Sequence, residues 1–303
     1  MDASTQESER GRPKEISFAF RHSFIMKKDA MLAKTYVASK FPWKNGTQYV
    51  QPKLDGVRAL FCVSEGKLTS IESRLGNEFG HLLPIFRSSV ERIASQLPHT
   101  VTVIDGELYR HGKSFQDLVS LVKNSNKDES KTLEFHVFDF IDDSKKGFAD
   151  RYLSRRHLFD EDSKVKFVGI MGVAENAEEV DAFLTRAEAD GYEGVMLRDG
   201  TTPYEPGKRS SSLHKAKRFD SNEFEIIAVN EATKKDAGTP VFECRANNGG
   251  KFSARPTGTM EERRKMWEAK DSYLGKMITV KYQGVSKDDI PRFPVAMGVR
   301  DYE

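Results

Sequence analysis

Strand-like runs that stop at a charged residue, often beside glycine, recur along the first two thirds of the chain, and they constrain its fold more than any other feature. The polar clusters are, in order, Lys53-Leu54-Asp55-Gly56-Val57-Arg58, Ser73-Arg74-Leu75-Gly76, Asp105-Gly106-Glu107, Phe138-Asp139, Glu193-Gly194 and Lys215-Ala216-Lys217. They border stretches rich in β-branched and aromatic residues, such as "RALFCVSEGKLTSIES", which reads as a hairpin around Glu65-Gly66, "TVTVIDGELYR", "LEFHVFDFID" and "YEGVMLRD". Between these lie apolar stripes at helical spacing. They are Leu83, Phe86, Val90, Ile93 and Leu97; Phe115, Leu118, Val119 and Val122; and Val180, Phe183, Leu184 and Ala187, with Gly191 placed to cap the last. Strand-like and helix-like segments in alternation predict a domain of mixed strands and helices, with charged groups held at its strand ends.

Singly, each cluster has a plain explanation. Asp-Gly and Glu-Gly are turn dipeptides, Lys-x-Lys is usually a solvated face, Phe138 fits a core and Arg74 fits a surface. In an extended segment, residues two apart share a face, so Lys53 and Asp55 are expected to point together. That arrangement reads equally as an ion pair at a strand end or as part of a site, with Gly56 allowing a sharp turn or a close approach to a ligand. The longer pattern Lys-x-Asp-Gly-x-Arg arises by chance in a chain of this length about once in several hundred cases. The order and separation of all six clusters therefore carry the weight.

The texture changes near Arg218. From there "FEIIAVNEA", "VFECRA", the turn "NNGG", "KFSARP", a helix "MEERRKMWEAK" and "MITVKYQGVS" follow one another closely. Short strands with tight turns and one helix predict a small β-barrel, with an added layer on the first domain as the competing arrangement. The expected organisation is a polar tail over 1–25, a first domain over 26–219 and a barrel over 220–303.

The net charge of the 303 residues is only +2, so a polyanionic partner has to be met by local basic patches. Cys62 and Cys244 stand far apart, which excludes a Cys-rich zinc site and points to a reducing, cytoplasmic setting. No apolar run is long enough to span a bilayer, and the opening "MDASTQESERGRPKE" lacks the apolar stretch of a signal peptide.

Taken in order, "MLAKTY", "KLDGVR", "ESRLG", "DGELY", "FHVFDF", "YEGVMLR", "LHKAKR" and "PRFPVAMGVRD" resemble the motifs of the covalent nucleotidyltransferase superfamily, most closely the small ATP-dependent DNA ligases of phage and bacterial type. The resemblance covers nearly the whole chain after the tail. It implies an α+β fold: a nucleotidyltransferase (adenylation) domain of antiparallel sheets and helices, followed by a small β-barrel OB-fold domain.

By the same resemblance, Lys53 is the nucleophile that attacks the α-phosphorus of ATP and carries AMP. Asp55 orders its loop. Lys215 and Lys217 hold the α-phosphate, and with Mg²⁺ they would keep the Lys53 amine uncharged. Glu193, with Glu107, holds Mg²⁺, for which Mn²⁺ substitutes. Glu107 and Arg58 bind the ribose, Phe138 stacks on adenine and Gln51 reads its edge. Arg74 holds the 5′-phosphate of a nick, and "YEPGKRSSSLHKAKR" offers cations to the DNA backbone. Arg300, with Arg292 and Asp301, orients the pyrophosphate. The implied substrate is nicked double-stranded DNA, acted on by a monomer.

RNA ligases and mRNA-capping guanylyltransferases share the lysine chemistry and stay open as alternatives, as does a nucleic-acid-binding module that has lost catalysis. The NAD⁺-dependent ligases do not fit, since the chain lacks their zinc cysteines and length.

Overall fold

Two five-stranded sheets, packed face to face, carry or border the polar clusters of the first two thirds of the chain. The computed structural model describes residues 30–43, 48–123, 128–160 and 163–299; the expected tail over 1–25 lies outside them, as do Arg300 and Asp301. The first sheet holds β1 (Leu32–Thr35), β2 (Gln48–Lys53), β8 (Gly172–Ala174), β9 (Gly194–Asp199) and β10 (Arg209–Ala216), in the order β1-β10-β9-β2-β8. The second holds β3 (Val57–Ser64), β4 (Lys67–Ser73), β5 (Val101–Tyr109), β6 (Glu134–Asp142) and β7 (Val165–Phe167), in the order β4-β3-β5-β6-β7. The inner pairings are antiparallel, as expected. The edge pairs β1/β10 and β6/β7 are parallel, which the short and weakly patterned edge segments did not signal.

Alternation along the strands sorts residues between layers. On β3, Ala59, Phe61 and Val63 join the large core beneath helices α1 (Leu83–Ala94), α2 (Phe115–Lys123) and α3 (Phe148–Tyr152), whereas Leu60 and Cys62 face the space between the sheets. The hairpin turns at Glu65-Gly66 as expected, with positive φ at both residues. Helix α1 buries Phe86, Val90 and Ile93 and starts with proline in its first turn. Helix α4 (Ala177–Ala189) covers the outer face of the first sheet, and the Asn176 side chain caps it by accepting the Glu179 N–H at 2.9 Å.

The chain divides between Ala216 and Lys217 into two units, so Lys217 goes with the second. That unit is a closed barrel in the order β11-β12-β13-β15-β14, formed by β11 (Asp220–Glu231), β12 (Pro240–Arg245), β13 (Lys251–Pro256), β14 (Met277–Tyr282) and β15 (Val295–Val299). Its interior is filled by Phe224, Ile226, Phe242, Phe252, Ile278 and Val280 among others. Helix α5 (Met260–Glu268) starts with a capping box between Thr259 and Glu262. The mixed fold expected from the sequence, a nucleotidyltransferase domain followed by an OB-type barrel, is the one observed.

Among the described residues, no helix is long and apolar enough to cross a membrane. Both cysteines are free and buried.

Candidate active site

Because the two sheets face one another, alternate residues of several strands converge on the gap between them. They line a cavity of about 250 Å³. From the first sheet come Gln51 and Lys53 of β2, Met196 and Arg198 of β9, and Leu213 and Lys215 of β10; from the second come Arg58 of β3, Glu107 of β5 and Phe138 of β6. Arg74 reaches the same wall from the turn after β4. That turn is tightly made: Ser73 Oγ accepts the N–H groups of Leu75 and Asn77, and the Gly76 N–H donates to Ser73 O at 2.9 Å.

Lys53 ends β2 and its ammonium forms an ion pair with Glu193, the residue just before β9. The backbones are in register there, with Lys53 opposite Gly194 and the Glu193 N–H donating to Lys53 O at 3.0 Å. The expectation that cations surround the amine needs amending, since its direct partner is a carboxylate.

The reading that put Lys53 and Asp55 on one face loses its premise. The strand stops at Lys53, so the two-residue period no longer applies at Asp55. Asp55 comes near Tyr109, whose hydroxyl is pushed up to about 12 by burial, with Tyr192 and Asp55 adding. Gly56 is needed for a close approach to a strand: a Cβ there would stand 2.6 Å from the Leu108 carbonyl oxygen of β5.

Glu107 faces the cavity partly exposed, and its carboxyl is pushed up to about 8. Burial is the main cause; Asp105 and Glu193 add to it, while Lys53 and Arg58 oppose it. Arg58 makes a bidentate pair with Asp105 (3.0 and 2.6 Å) and donates to the Met31 carbonyl at 2.7 Å. Its guanidinium stays charged, because Asp105 outweighs the burial that would lower its pKa. Phe138 has the guanidinium carbons of Arg58 and Arg198 each 5.4 Å from its ring centre.

The structure brings Gln51, Lys53, Arg58, Arg74, Glu107, Phe138 and Lys215 to one cavity, with Glu193 joined to it through Lys53. Lys217 lies in the barrel unit, where its ammonium meets the Gln283 side-chain oxygen and stands 5.4 Å from the Phe219 ring centre. Arg292 is also in the barrel, with its guanidinium 5.6 Å from the Phe293 ring centre.

Sequence reading assigned no role to Arg198, Arg151 or Tyr204. Asp139 accepts from Arg151 (2.8 and 2.9 Å) and Arg198 (2.8 Å), and Tyr204 donates to Asp105 at 2.7 Å. An arginine inside the apolar run "GVMLRD" was the available signal, because such a strand buries a charge only with a partner.

Two side chains of the cavity wall carry buried atoms without hydrogen-bond partners: the acceptor Gln51 Oε1 and the donor Arg198 Nε. The Gln51 amide is oriented by its Nε2, which donates to the Val168 carbonyl at 3.0 Å. The hydroxyl of nearby Tyr152 is engaged with the carbonyls of Val137 and Val168.

Among the described residues, no cluster of three or more His, Cys, Asp or Glu side chains forms a cage for a metal ion. A magnesium ion needs fewer, since it commonly binds through one or two carboxylates plus water and substrate phosphate. Glu193 is close enough to Glu107 to help raise its pKa, and the two carboxylates fit that donor set.

Residues 30–217 match the family model described as the ATP dependent DNA ligase domain, and 234–300 match that of the DNA ligase OB-like domain. A DNA ligase of African swine fever virus is 28% identical over 271 residues, covering 83% of this chain and 63% of the viral protein. The chain thus spans under two thirds of that relative's length. A DNA ligase of Haemophilus influenzae is 26% identical over 191 residues, 63% of this chain and 69% of its own. Among solved structures, a Lig E DNA ligase superimposes with a TM-score of 0.71 at 23% identity, covering 91% of this chain and all (100%) of that one.

Proposed function

This chain belongs to the ATP-dependent DNA ligase family, and on that premise we propose that it seals nicks in duplex DNA through a lysyl-AMP intermediate. The single observation that supports the nucleotide reading best is the pair of partnerless atoms in the cavity. Adenine offers a 6-amino donor beside ring-nitrogen acceptors, whereas guanine offers a carbonyl oxygen at position 6. Gln51 Oε1, set against position 6 of the base, would accept from the adenine amino group and would oppose guanine's carbonyl oxygen, with Arg198 Nε free to donate to a ring nitrogen. Phe138 supplies an aromatic face for the same base. This favours ATP over the GTP of capping enzymes.

In the first step the Lys53 amine, having lost its proton, forms a P–N bond to the α-phosphorus while the bond to pyrophosphate breaks. Release from Glu193 is the prerequisite, since an ammonium held by a carboxylate has no lone pair to give. Lys215 on the cavity wall places positive charge where the α-phosphate gathers negative charge. Lys217 would join it, and Arg300 of the last motif would orient the leaving pyrophosphate.

Glu193 and Glu107 would hold Mg²⁺, which neutralises phosphate charge when bound. Glu107 also faces the ribose. Arg58, already committed to Asp105, acts chiefly by holding the wall behind it. AMP then passes to the 5′-phosphate at the nick, which Arg74 would hold. The 3′-hydroxyl attacks that phosphate, a phosphodiester forms and AMP leaves.

We place the reaction in a reducing cytoplasm, on a monomer whose affinity for nicked DNA falls with salt as counterions are released.

Mass spectrometry after mixing with ATP and Mg²⁺ tests the proposal. One AMP on the peptide carrying Lys53, little or no GMP from GTP, and joining of nicked DNA in preference to nicked RNA are expected. A GMP adduct formed as readily as the AMP adduct would overturn the nucleotide assignment. Adduct formation without DNA joining would overturn the ligase reading.

A further inference from the structure

Glu107 lies on β5 and Glu193 just before β9, strands of different sheets, yet both carboxylates come to the neighbourhood of one ammonium. The gap between the sheets has to be fixed at that end. A chain of three rings stands there. Tyr109, two residues beyond Glu107 on β5, shares a 2.9 Å hydrogen bond between its hydroxyl and His111 Nδ1. The His111 ring tilts against Tyr192, with centroids 5.1 Å apart and planes at 59°. Tyr192 immediately precedes Glu193 and packs against both the core of the second sheet and that of the first.

Tyr192 is also fixed from its own side. Helix α4 ends in a Schellman motif: the Gly191 N–H donates to Glu188 O at 3.0 Å and the Tyr192 N–H to Ala187 O at 2.9 Å. Gly191 has a φ of +82°, and a Cβ there would touch the His111 ring at 3.5 Å. The residue before Glu193 is therefore anchored to the helix behind it and met by His111 from the opposite sheet.

We propose that Tyr109, His111 and Tyr192 form a clasp between the sheets that sets the separation of Glu107 and Glu193, making all three positioning residues for nucleotidyl transfer. The inference rests on the adenylating reading of the cavity. It gives His111, which is exposed and touches none of the reacting groups, a role in how the two carboxylates grip a divalent cation. Removing groups that orient metal ligands from behind typically costs about ten- to a hundredfold in metal affinity or activity.

The test measures Mn²⁺ binding by electron paramagnetic resonance on the full chain with a non-reactive α,β-methylene ATP analogue, beside the Mg²⁺ dependence of AMP-adduct formation. His111→Ala is expected to weaken Mn²⁺ binding about tenfold and to raise the Mg²⁺ needed for half-maximal adduct formation to match. The KM for ATP at saturating metal should stay unchanged. Tyr192→Ala should behave alike, with the double variant no worse than the worse single one, because both break the same chain of contacts. Should His111→Ala fold poorly, His111→Phe keeps a ring against Tyr192 while losing the bond to Tyr109, and should show the same direction of change.

Wild-type metal binding in these variants would overturn the clasp, as would a lowered melting temperature with unaltered metal dependence. Failure of the wild-type chain to form any AMP adduct would instead overturn the underlying reading, so the two failures are told apart.

Discussion

The two units bury different kinds of side chain. The sheet-on-sheet unit places Asp105, Asp139, Asp142, Arg151, Arg155 and Arg198 out of solvent, and Arg58 nearly so. Among the described residues of the barrel, the only buried polar side chains are Thr239 and Gln283, and its ion pairs, such as Arg245–Glu225 and Lys251–Glu243, lie at the surface apart from the half-buried Arg263–Asp236. Burying an ion costs several kcal/mol, and a partner offsets this only with good geometry. The barrel reaches stability with an apolar core, so the charges of the first unit are not a general requirement of this chain. Asp105 and Asp139 hold two arginines of the cavity wall, Arg58 and Arg198, from behind, while the Asp142–Arg155 pair is not part of that lining.

The sharpest way to break that comparison is at the cavity itself. Lys53→Ala should abolish the AMP adduct and the joining of unmodified nicked DNA, yet leave the urea midpoint close to wild type, because Lys53 is partly exposed and ends its strand. A large loss of stability would mean that the Lys53–Glu193 pair is chiefly structural. Next in size is Asp139→Ala, which strips the shared partner from Arg151 and Arg198. Leaving two buried guanidiniums unpaired should cost about 3–5 kcal/mol. Trp43, packed 4.6 Å from Phe41 in the first unit, can report that unfolding in a variant lacking Trp267.

Gln51→Ala should be milder, reducing discrimination between ATP and GTP about tenfold through the lost contact to the base. Unchanged discrimination would remove the base-reading role.

The same contrast explains what was legible in the sequence. Apolar periodicity follows local rules, so α1, α2, α4, the Glu65-Gly66 hairpin and the barrel strands could be read directly. The six polar clusters could be read because their order is a long-range pattern. Asp55 could not, because nothing local says that β2 stops at Lys53. Arg198 and Arg151 were passed over for a related reason. A buried arginine is recognised by its partner, and Asp139 lies twelve residues before Arg151 and fifty-nine before Arg198. The carboxylate beside Lys53 is similarly distant, supplied by the register of β2 against β9.

Acid should separate the units further. Asp142 is buried, which alone would raise its pKa; hydrogen bonds from Ser144, Arg155 and Thr100 overcome this and hold it well below the ordinary 3.8. A depressed carboxyl contributes stability that is present above its unfolded value and is lost as pH falls through the folded one. The first unit should therefore lose stability progressively below about pH 4. Asp142→Asn should lower stability at neutral pH and flatten that acid limb. An unchanged limb would assign the acid sensitivity to other groups.

The smallest expected effect lies in the barrel. Asp236 pairs with Arg255 at 2.6 Å and with Arg263 at 3.5 Å, tying the loop after β11 to β13 and α5. In form this copies Asp139 with its two arginines. In setting it does so only in part: Arg263 and Asp236 are 18% and 14% exposed, but the Arg255 side chain is 53% exposed and water can replace its lost partner. Asp236→Ala should accordingly cost about 1 kcal/mol, read from the urea midpoint by Trp267 of α5 in a variant lacking Trp43. A cost as large as that of Asp139→Ala would mean that sharing one carboxylate between two arginines matters more than burying it.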